Sequence, residues 1–172
     1  TFEKILEYED ASKYLVRIYL KKIANSELND IVKFGKYEQD NDDLSGKETI
    51  EWNVVAKEGN KVLLISDKIL DYQPYSVGNE LEGGATYSKE NFVSWKDAQL
   101  RSWLNNNFYN MAFNEDEKGK LLNVLLTTKN KGGLPSCETN DNVFILSAEE
   151  FDEISDKATM GTLNQLATEY AK

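Results

Sequence analysis

The chain has 172 residues, 40% hydrophobic and 29% charged, which is enough apolar material for one globular domain and excludes wholesale disorder. Its 20 Lys and Arg against 30 Asp and Glu give a formal net charge of −10, which disfavours nucleic acid and anionic membrane surfaces as partners. Since there is no His and a single Cys, Cys137, the sequence excludes His-based catalysis, His-ligated metals and intrachain disulfides.

The first segment, residues 1–29, is predicted to be helical: residues 2–6 end an earlier helix, and an amphipathic helix follows Asp10, which is in the position of an N-cap. Such a helix cannot bury its apolar side alone, so we expect it to pack on the following domain or on a preceding repeat. Because the chain opens at Thr1 directly in this pattern, we expect it to be a piece of a longer protein. The apolar stripe consists of Leu15, Ile18, Tyr19 and Ile23.

From residue 31 onward the apolar period changes to about 2, which is typical of β-strands. We predict strands over 31–37, 50–56 and 61–66, the last two joined into a hairpin by the turn Glu58-Gly59-Asn60. A polar loop is predicted over 38–47, and a long surface loop over 72–92. Loops as long as the second one are often functional in compact domains.

The second half of the chain alternates predicted helices with short strands. Ser94 is expected to cap a helix that runs to about Phe108, and Asn114 with Glu117 forms a relaxed capping box. Strands are predicted over 121–128 and 143–146, separated by a polar loop over 129–142. Helices are predicted to start at the capping box of residues 147–150 and to cover 162–171. We expect the core to include Trp52, Trp95, Trp103 and Phe108.

The acidic run Asp40-Asn41-Asp42-Asp43 offers the closely spaced oxygens that calcium prefers. As an EF-hand loop it fails, because Leu44 stands at the fifth position and Gly46 comes one place late. We interpret the run as a solvated hairpin loop and expect no metal and no cofactor. No carboxylate pair, phosphate-binding glycine loop or nucleophile motif stands out, so we predict no catalytic residues and no enzymatic activity.

Aromatic residues make up 11% of the chain, and several lie in or beside the long loop. Tyr and Trp combine an apolar ring with a polar group, which suits surfaces that bind sugars and peptides. Tyr72, Tyr75 and Tyr87 are therefore candidate ligand-binding residues. The alternative is that these rings pack into the core.

Several motifs stand in order along the chain: VKFGKYEQD at 32–40, Glu51-Trp52, LLIS at 63–66, LDYQPY at 70–75, LRSWLN at 100–105 and VFILS at 143–147. Together they resemble one bacterial family of unknown function. Arg101, Trp103 and Asn105 lie in one of these matching motifs, so the resemblance makes them candidate ligand-binding residues, with helix packing and a buried arginine pair as the structural alternative.

The resemblance implies an α+β fold, a C-type-lectin-like mixed domain related in shape to formylglycine-generating enzymes. It divides the chain into a helical extension at 1–29, similar to the end of a tetratricopeptide-like array, and a lectin-like domain at 30–172. Family members usually end with W-L-R-S-P-G and G-V-R-P-A segments, which this sequence lacks. We therefore expect the domain to lack its C-terminal strands.

These observations favour a non-catalytic recognition module that binds a glycan, a peptide or a protein. The alternative is a structural or adaptor domain that acts through self-association, with the N-terminal helix forming a homo-oligomer, or through a neighbouring domain. A carboxylate-only hydrolase is less favoured, and oxidase chemistry of the formylglycine-generating type needs a pair of thiols that Cys137 alone cannot supply. We expect no nucleic-acid partner and no membrane insertion, while the cellular compartment stays open.

Overall fold

The computed structural model describes residues 15–21, 25–75, 93–129, 135–146 and 168–171. Of these residues, 41% lie in strands and 19% in helices, with a single helix of 14 residues. The domain is therefore mainly β-sheet. The predicted α+β, C-type-lectin-like mixed domain with an N-terminal helical extension is wrong.

Most strands form one antiparallel sheet, and two form a separate ribbon. The strands are β1 Val16–Lys21, β2 Ile31–Tyr37, β3 Glu48–Glu58, β4 Lys61–Ser66, β5 Val124–Thr128, β6 Cys137–Asp141 and β7 Val143–Ile145. The sheet has five strands in the order β2-β3-β4-β1-β7, and the ribbon pairs β5 with β6. The predicted hairpin of β3 and β4 is confirmed, with Gly59 in the turn at φ 59°.

Strand β1 replaces the helix predicted around Leu15, Ile18, Tyr19 and Ile23. Its residues pair with β4 on one side and β7 on the other, and Ile18 is fully buried in the core. The helix prediction failed because Val16, Ile18 and Leu20 also alternate at the strand period, and β-branched side chains favour a sheet with partners on both sides. Asp10 and Ile23 lie outside the described residues.

The main helix covers residues 99–112 and packs against the sheet. It consists of α1 Gln99–Trp103, a π-helical turn Leu104–Phe108 and α2 Tyr109–Ala112. Ser94 stands at the N-cap position of the short 3₁₀ turn Trp95–Asp97, where its side chain makes no capping hydrogen bond, so the main helix begins later than predicted. Among the described helices, none combines the length and the apolarity that crossing a membrane requires.

A short helix, α3 Glu115–Lys118, carries the predicted capping box. The Asn114 side chain accepts from the Glu117 backbone N–H, and the Glu117 carboxylate accepts from the Asn114 backbone N–H, each at 2.9 Å. The helix therefore begins where the sequence indicates.

The ribbon corrects the loop that was predicted over 129–142, since residues 137–141 form a strand. Along this strand burial alternates but hydrophobicity does not, because the buried residues are also polar. Thr139 and Asp141 are buried, while Glu138 and Asn140 are exposed. The capping box at 147–150 lies outside the described residues. Of the predicted last helix, only residues 168–171 are described, and they form a turn.

The core lies between the sheet and the main helix. Trp52, Trp95 and Phe108 are buried as predicted, whereas Trp103 is only partly buried. The Trp52 indole N–H donates to the Phe34 carbonyl at 2.7 Å, so its polar group is satisfied inside the core.

Candidate functional site

A small cleft, with an accessible volume of about 20 Å³, lies where the main helix meets the sheet. One wall is the register pair Val16 and Ile145, where β1 and β7 lie side by side. A second wall is the segment that follows β4, and a third is the main helix. The lining residues among those described are Val16, Leu70, Asp71, Gln73, Leu100, Trp103, Leu104, Phe108 and Ile145.

The π-helical turn supplies the helix wall of the cleft. Leu104 and Phe108, its first and last residues, are both buried and both line the cleft. π-Turns in helices occur frequently at functional sites because the extra residue re-aims side chains. The Trp103 ring packs on Phe108 with the ring centroids 5.8 Å apart, and its partial exposure leaves indole surface at the cleft.

Asn105 fixes this turn to the end of the ribbon. Its Nδ2 donates to the Val143 carbonyl at 2.8 Å and to the Arg101 carbonyl at 3.1 Å. Its Oδ1 accepts from the backbone N–H groups of Asn142 and Val143 at 2.8 and 3.1 Å. Both polar atoms of this side chain are therefore hydrogen-bonded within the fold. These bonds hold the helix wall of the cleft against β7.

Arg101 likewise bonds within the fold and does not line the cleft. Its Nε donates to Asp141 Oδ1 at 2.8 Å, and its other nitrogens donate to the carbonyls of Lys96 and Asn140 at 3.2 and 3.4 Å. The Asp141 carboxylate also accepts from Trp95 Nε1 at 2.9 Å and from Thr139 Oγ1 at 2.7 Å. The sequence analysis did not identify Asp141, because this residue stands in a polar stretch. The available signal was that a buried Arg101 needs an acidic partner.

The predicted tyrosines do not form one cluster in the described residues. Tyr72 is 51% exposed on the segment that lines the cleft. Tyr75 packs on Trp95 at 6.5 Å, and burial, with a smaller contribution from its electrostatic neighbours, raises its pKa to about 12. Tyr87 lies outside the described residues. Of the predicted ligand-binding residues, Trp103 lines the cleft and Tyr72 stands beside it.

Asp71 is the one carboxylate among the described lining residues of the cleft. It accepts hydrogen bonds from the Tyr37 hydroxyl, from its neighbour's backbone N–H at 2.6 Å and from Gln73 Nε2 at 3.3 Å. Burial, and then the hydrogen bond to this carboxylate, raises the pKa of Tyr37. Asp71 therefore connects the cleft to a buried phenol at the end of β2.

Tyr170 continues this polar region away from the cleft. Its ring meets Tyr37 edge-on at 5.8 Å, its backbone N–H donates to the Gln39 carbonyl at 3.2 Å, and it is 42% exposed. Burial raises the pKa of Tyr170, and the negative charges of Asp71, Glu38 and Asp43 raise it further. The phenol thus lies in a negative electrostatic field, on the side of Tyr37 away from the cleft.

The β2–β3 loop brings three carboxylates together. One oxygen from each of Glu38, Asp40 and Glu48 lies within 4.8 Å of the others, a spacing that a hard cation could bridge. Ser45 Oγ donates to Asp40 at 3.1 Å and to Glu48 at 3.4 Å, so two of these groups have donors inside the loop. Partial burial and the neighbouring carboxylates raise the pKa of Glu38.

Comparison with known proteins gives one family. Residues 59–171 match a family described as a domain of unknown function, DUF6273. No curated protein and no solved structure gives a significant match to the chain. The matched residues include strand β4, the main helix, the ribbon and β7.

Proposed function

Because the chain belongs to the DUF6273 family, whose function is unknown, we propose its function from the cleft. The domain is a non-catalytic recognition module that binds a peptide or protein segment. An apolar side chain of that segment, here called the apolar anchor, enters the cleft between the main helix and the sheet. The observation that carries this proposal is the apolar lining of the cleft, with Asp71 and Gln73 as its polar residues.

The dimensions of the cleft support a side chain as its occupant. Ligand sites in proteins are concave, mostly apolar and oriented by a few polar groups, with volumes of roughly 300–1,000 Å³. This cleft is far smaller, with an accessible volume of about 20 Å³. It therefore suits the tip of one apolar side chain lying across its mouth better than an extended small molecule.

The chemistry of the lining favours a peptide over a glycan. Sugar hydroxyls lose their hydrogen bonds to water on binding and need replacements, and an unmade bond costs about 1–3 kcal/mol. Asp71 and Gln73 are the polar residues in the described lining, and Asp71 already accepts from three donors. Tyr75, a candidate sugar platform, packs on Trp95.

The same lining supports a role without catalysis. Hydrolysis of a glycosidic bond by side chains alone needs two carboxylates about 5–10 Å apart across the cleft. Asp71 has no second carboxylate beside it in the described lining. A nucleophile with an adjacent base is likewise absent from the described lining residues.

A second candidate function is self-association through the edge of the sheet. Leu28, Ile31 and Val55 are exposed near the start of β2, which is the last strand on that side of the sheet. Exposed apolar side chains and open strand edges favour protein contacts. The stripe first assigned to this role gives no such support, because Ile18 is buried in the core.

Selection from a random peptide library displayed on phage tests the proposal. Ile145→Glu places a charge in the cleft, while Leu125→Glu makes a comparable change on the exposed side of β5. We expect peptides with an apolar anchor to bind the natural chain and Leu125→Glu but not Ile145→Glu. Gln73→Trp, which narrows the cleft from its rim, is a second blocking variant in case Ile145→Glu unfolds.

Enrichment of the same peptides by all four proteins would contradict the proposal. A thermal melt of each variant establishes that it is folded. Peptides that depend on Leu28 or Ile31 instead of the cleft would favour the edge of the sheet as the contact surface.

A further inference from the structure

We propose that the cleft binds the backbone of an extended peptide segment as well as its apolar anchor, through Gln73 and Trp103. Gln73 Oε1 accepts a hydrogen bond from a backbone N–H of the segment, and the Trp103 indole N–H donates to a backbone carbonyl. Both residues line the cleft. This role rests on the proposed function and defines which part of the bound segment the cleft recognises.

Gln73 offers an acceptor because Asp71 fixes the orientation of its amide. An ionised carboxylate only accepts hydrogen bonds, so the amide turns its donor, Nε2, towards Asp71 Oδ1 at 3.3 Å. Asp71 is held in turn by the Tyr37 hydroxyl and by the Tyr72 backbone N–H. Within the described part of the chain, Gln73 Oε1 receives no hydrogen bond, so a bound segment can use it.

Pro74 restricts the backbone that carries this acceptor. A residue before a proline is confined to extended conformations, and in an extended chain the side chains of residues two apart point to the same side. Gln73 accordingly lies beside Asp71 at the wall of the cleft. The acceptor is therefore positioned before any segment binds, which lowers the entropy cost of binding.

Trp103 offers the matching donor. The indole N–H of Trp52 donates to the Phe34 carbonyl at 2.7 Å, and that of Trp95 donates to Asp141 at 2.9 Å. Trp103 is the tryptophan that lines the cleft, and its ring is only partly buried. Among the described residues its indole N–H has no acceptor, although buried indole groups usually find one.

One open donor and one open acceptor in an apolar cleft match a peptide backbone. In an extended segment the N–H and C=O of one residue point to the same side, as they do in the hydrogen-bonded pairs of an antiparallel sheet. A single residue at or next to the apolar anchor therefore carries both groups that the cleft is missing. Forming both hydrogen bonds replaces those that the segment loses to water.

A backbone fits these two groups better than a charged side chain does. A carboxylate or phosphate would accept from Trp103 but would be repelled by Asp71 in the same lining. A Lys or Arg side chain would donate to Gln73 but would leave the Trp103 indole without an acceptor.

Proline and N-methylated residues test this role, because both lack the backbone N–H. In the peptides that the library selection enriches, we expect proline to be depleted at one position at or next to the apolar anchor. Methylation of that backbone nitrogen in a selected peptide should weaken binding about three- to tenfold in isothermal titration calorimetry. The control peptide is methylated at a backbone nitrogen near one end and should bind almost as tightly as the unmodified peptide.

Two variants assign the contacts to the cleft. Gln73→Met removes the acceptor and Trp103→Phe removes the donor, and each should weaken binding of the unmodified peptide about three- to tenfold. In Gln73→Met the N-methyl group should have no further effect, because its hydrogen bond is already lost, whereas in Trp103→Phe it should keep its full effect. The control, Thr127→Val, removes an exposed hydroxyl on β5 and should bind as the natural chain does.

The outcomes separate the two proposals. Cleft-dependent peptides that lose equal affinity on N-methylation in the natural chain and in Gln73→Met would overturn the backbone contact while leaving the proposed function intact. Unchanged binding by Trp103→Phe would overturn the role of its indole in the same way. If no peptide depends on the cleft, both proposals fail. A thermal melt establishes that each variant is folded, and proline depletion with the natural chain gives a readout that needs no variant.

Discussion

Arg101 and Asp141 form an ion pair that joins the main helix to the ribbon, with Nε and Oδ1 2.8 Å apart. Asp141 is fully buried, whereas 26% of the arginine side chain is exposed. Buried carboxylates are retained when a cation and further donors satisfy them, and here Trp95 and Thr139 supply those donors. The pair holds the ribbon against the helix whose π-helical turn forms one wall of the cleft.

Asp141→Ala should lower the free energy of unfolding by about 3–5 kcal/mol, because it leaves the half-buried Arg101 without its partner and removes the acceptor for Trp95. Urea denaturation of the variant and the natural chain measures this difference. The control, Glu115→Ala, breaks the exposed ion pair with Lys118 and should cost less than about 1 kcal/mol. If both variants lost the same free energy of unfolding, Asp141 would contribute no more to stability than an exposed ion pair.

Gly35→Ala should destabilise the domain by about 2–4 kcal/mol. Gly35 has φ 74°, and an added Cβ would lie 2.6 Å from the Phe113 ring, so backbone strain and overpacking combine. Gly46→Ala is the matched control, because φ is 79° there but nothing lies within 4 Å of the added atom. It should cost about 1–2 kcal/mol. Thermal or urea unfolding that ranks Gly46→Ala as the more damaging change would contradict this packing.

Asn105→Asp should destabilise the domain by about 2–3 kcal/mol. The substitution replaces a donor with a charged oxygen that faces the carbonyls of Arg101 and Val143. The neighbouring Asn106→Asp makes the same chemical change at an exposed position and should alter the stability by about 0.5 kcal/mol or less. Equilibrium unfolding compares the two variants. If Asn105→Asp left the free energy of unfolding unchanged, this side chain would not fix the helix to β7.

Glu38→Gln should raise the melting temperature at neutral pH. The pKa of Glu38 is raised above its ordinary 4.5, so the folded state holds the proton more tightly than the unfolded state. Ionised Glu38 therefore destabilises the fold above its raised pKa, and this penalty is relieved as the pH falls through that pKa towards 4.5. The advantage of the variant should accordingly vanish below pH 4.5.

Melting curves of Glu38→Gln and of the natural chain, from neutral pH to below pH 4.5, test the predicted direction of this pH dependence. Glu115→Gln, on the exposed side of α3, serves as the control for the loss of one negative charge. A lower melting temperature for Glu38→Gln at neutral pH would mean that the carboxylate stabilises the loop.

Local patterns in the sequence predicted the elements that local chemistry decides. The β3–β4 hairpin follows from two strand-period runs around a glycine turn, and the α3 helix follows from the reciprocal bonds of Asn114 and Glu117. Strand β1 was predicted as a helix because its apolar residues fit both the helical period and the strand period. Only pairing with β4 and β7, which come much later in the chain, decides between them.

The candidate site was predictable only in part for the same reason. Trp103 was a candidate because the motif at 100–105 resembles a known family, whereas its local pattern predicted a core residue, and it lines the cleft. Val16 and Ile145 meet only because β1 pairs with β7 across most of the chain, so no local pattern signals that they share a wall. Asp141 was hidden because its burial depends on Arg101 and Trp95, and a polar residue in a polar stretch is typical of a loop.

The most direct test of the central claim is a methyl NMR titration of the isotope-labelled chain with a peptide from the library selection. We predict that the shifted methyl resonances are those lining the cleft, namely Val16, Leu70, Leu100, Leu104 and Ile145. Shifts centred on Leu28, Ile31 and Val55 would contradict the claim and would place recognition at the edge of the sheet.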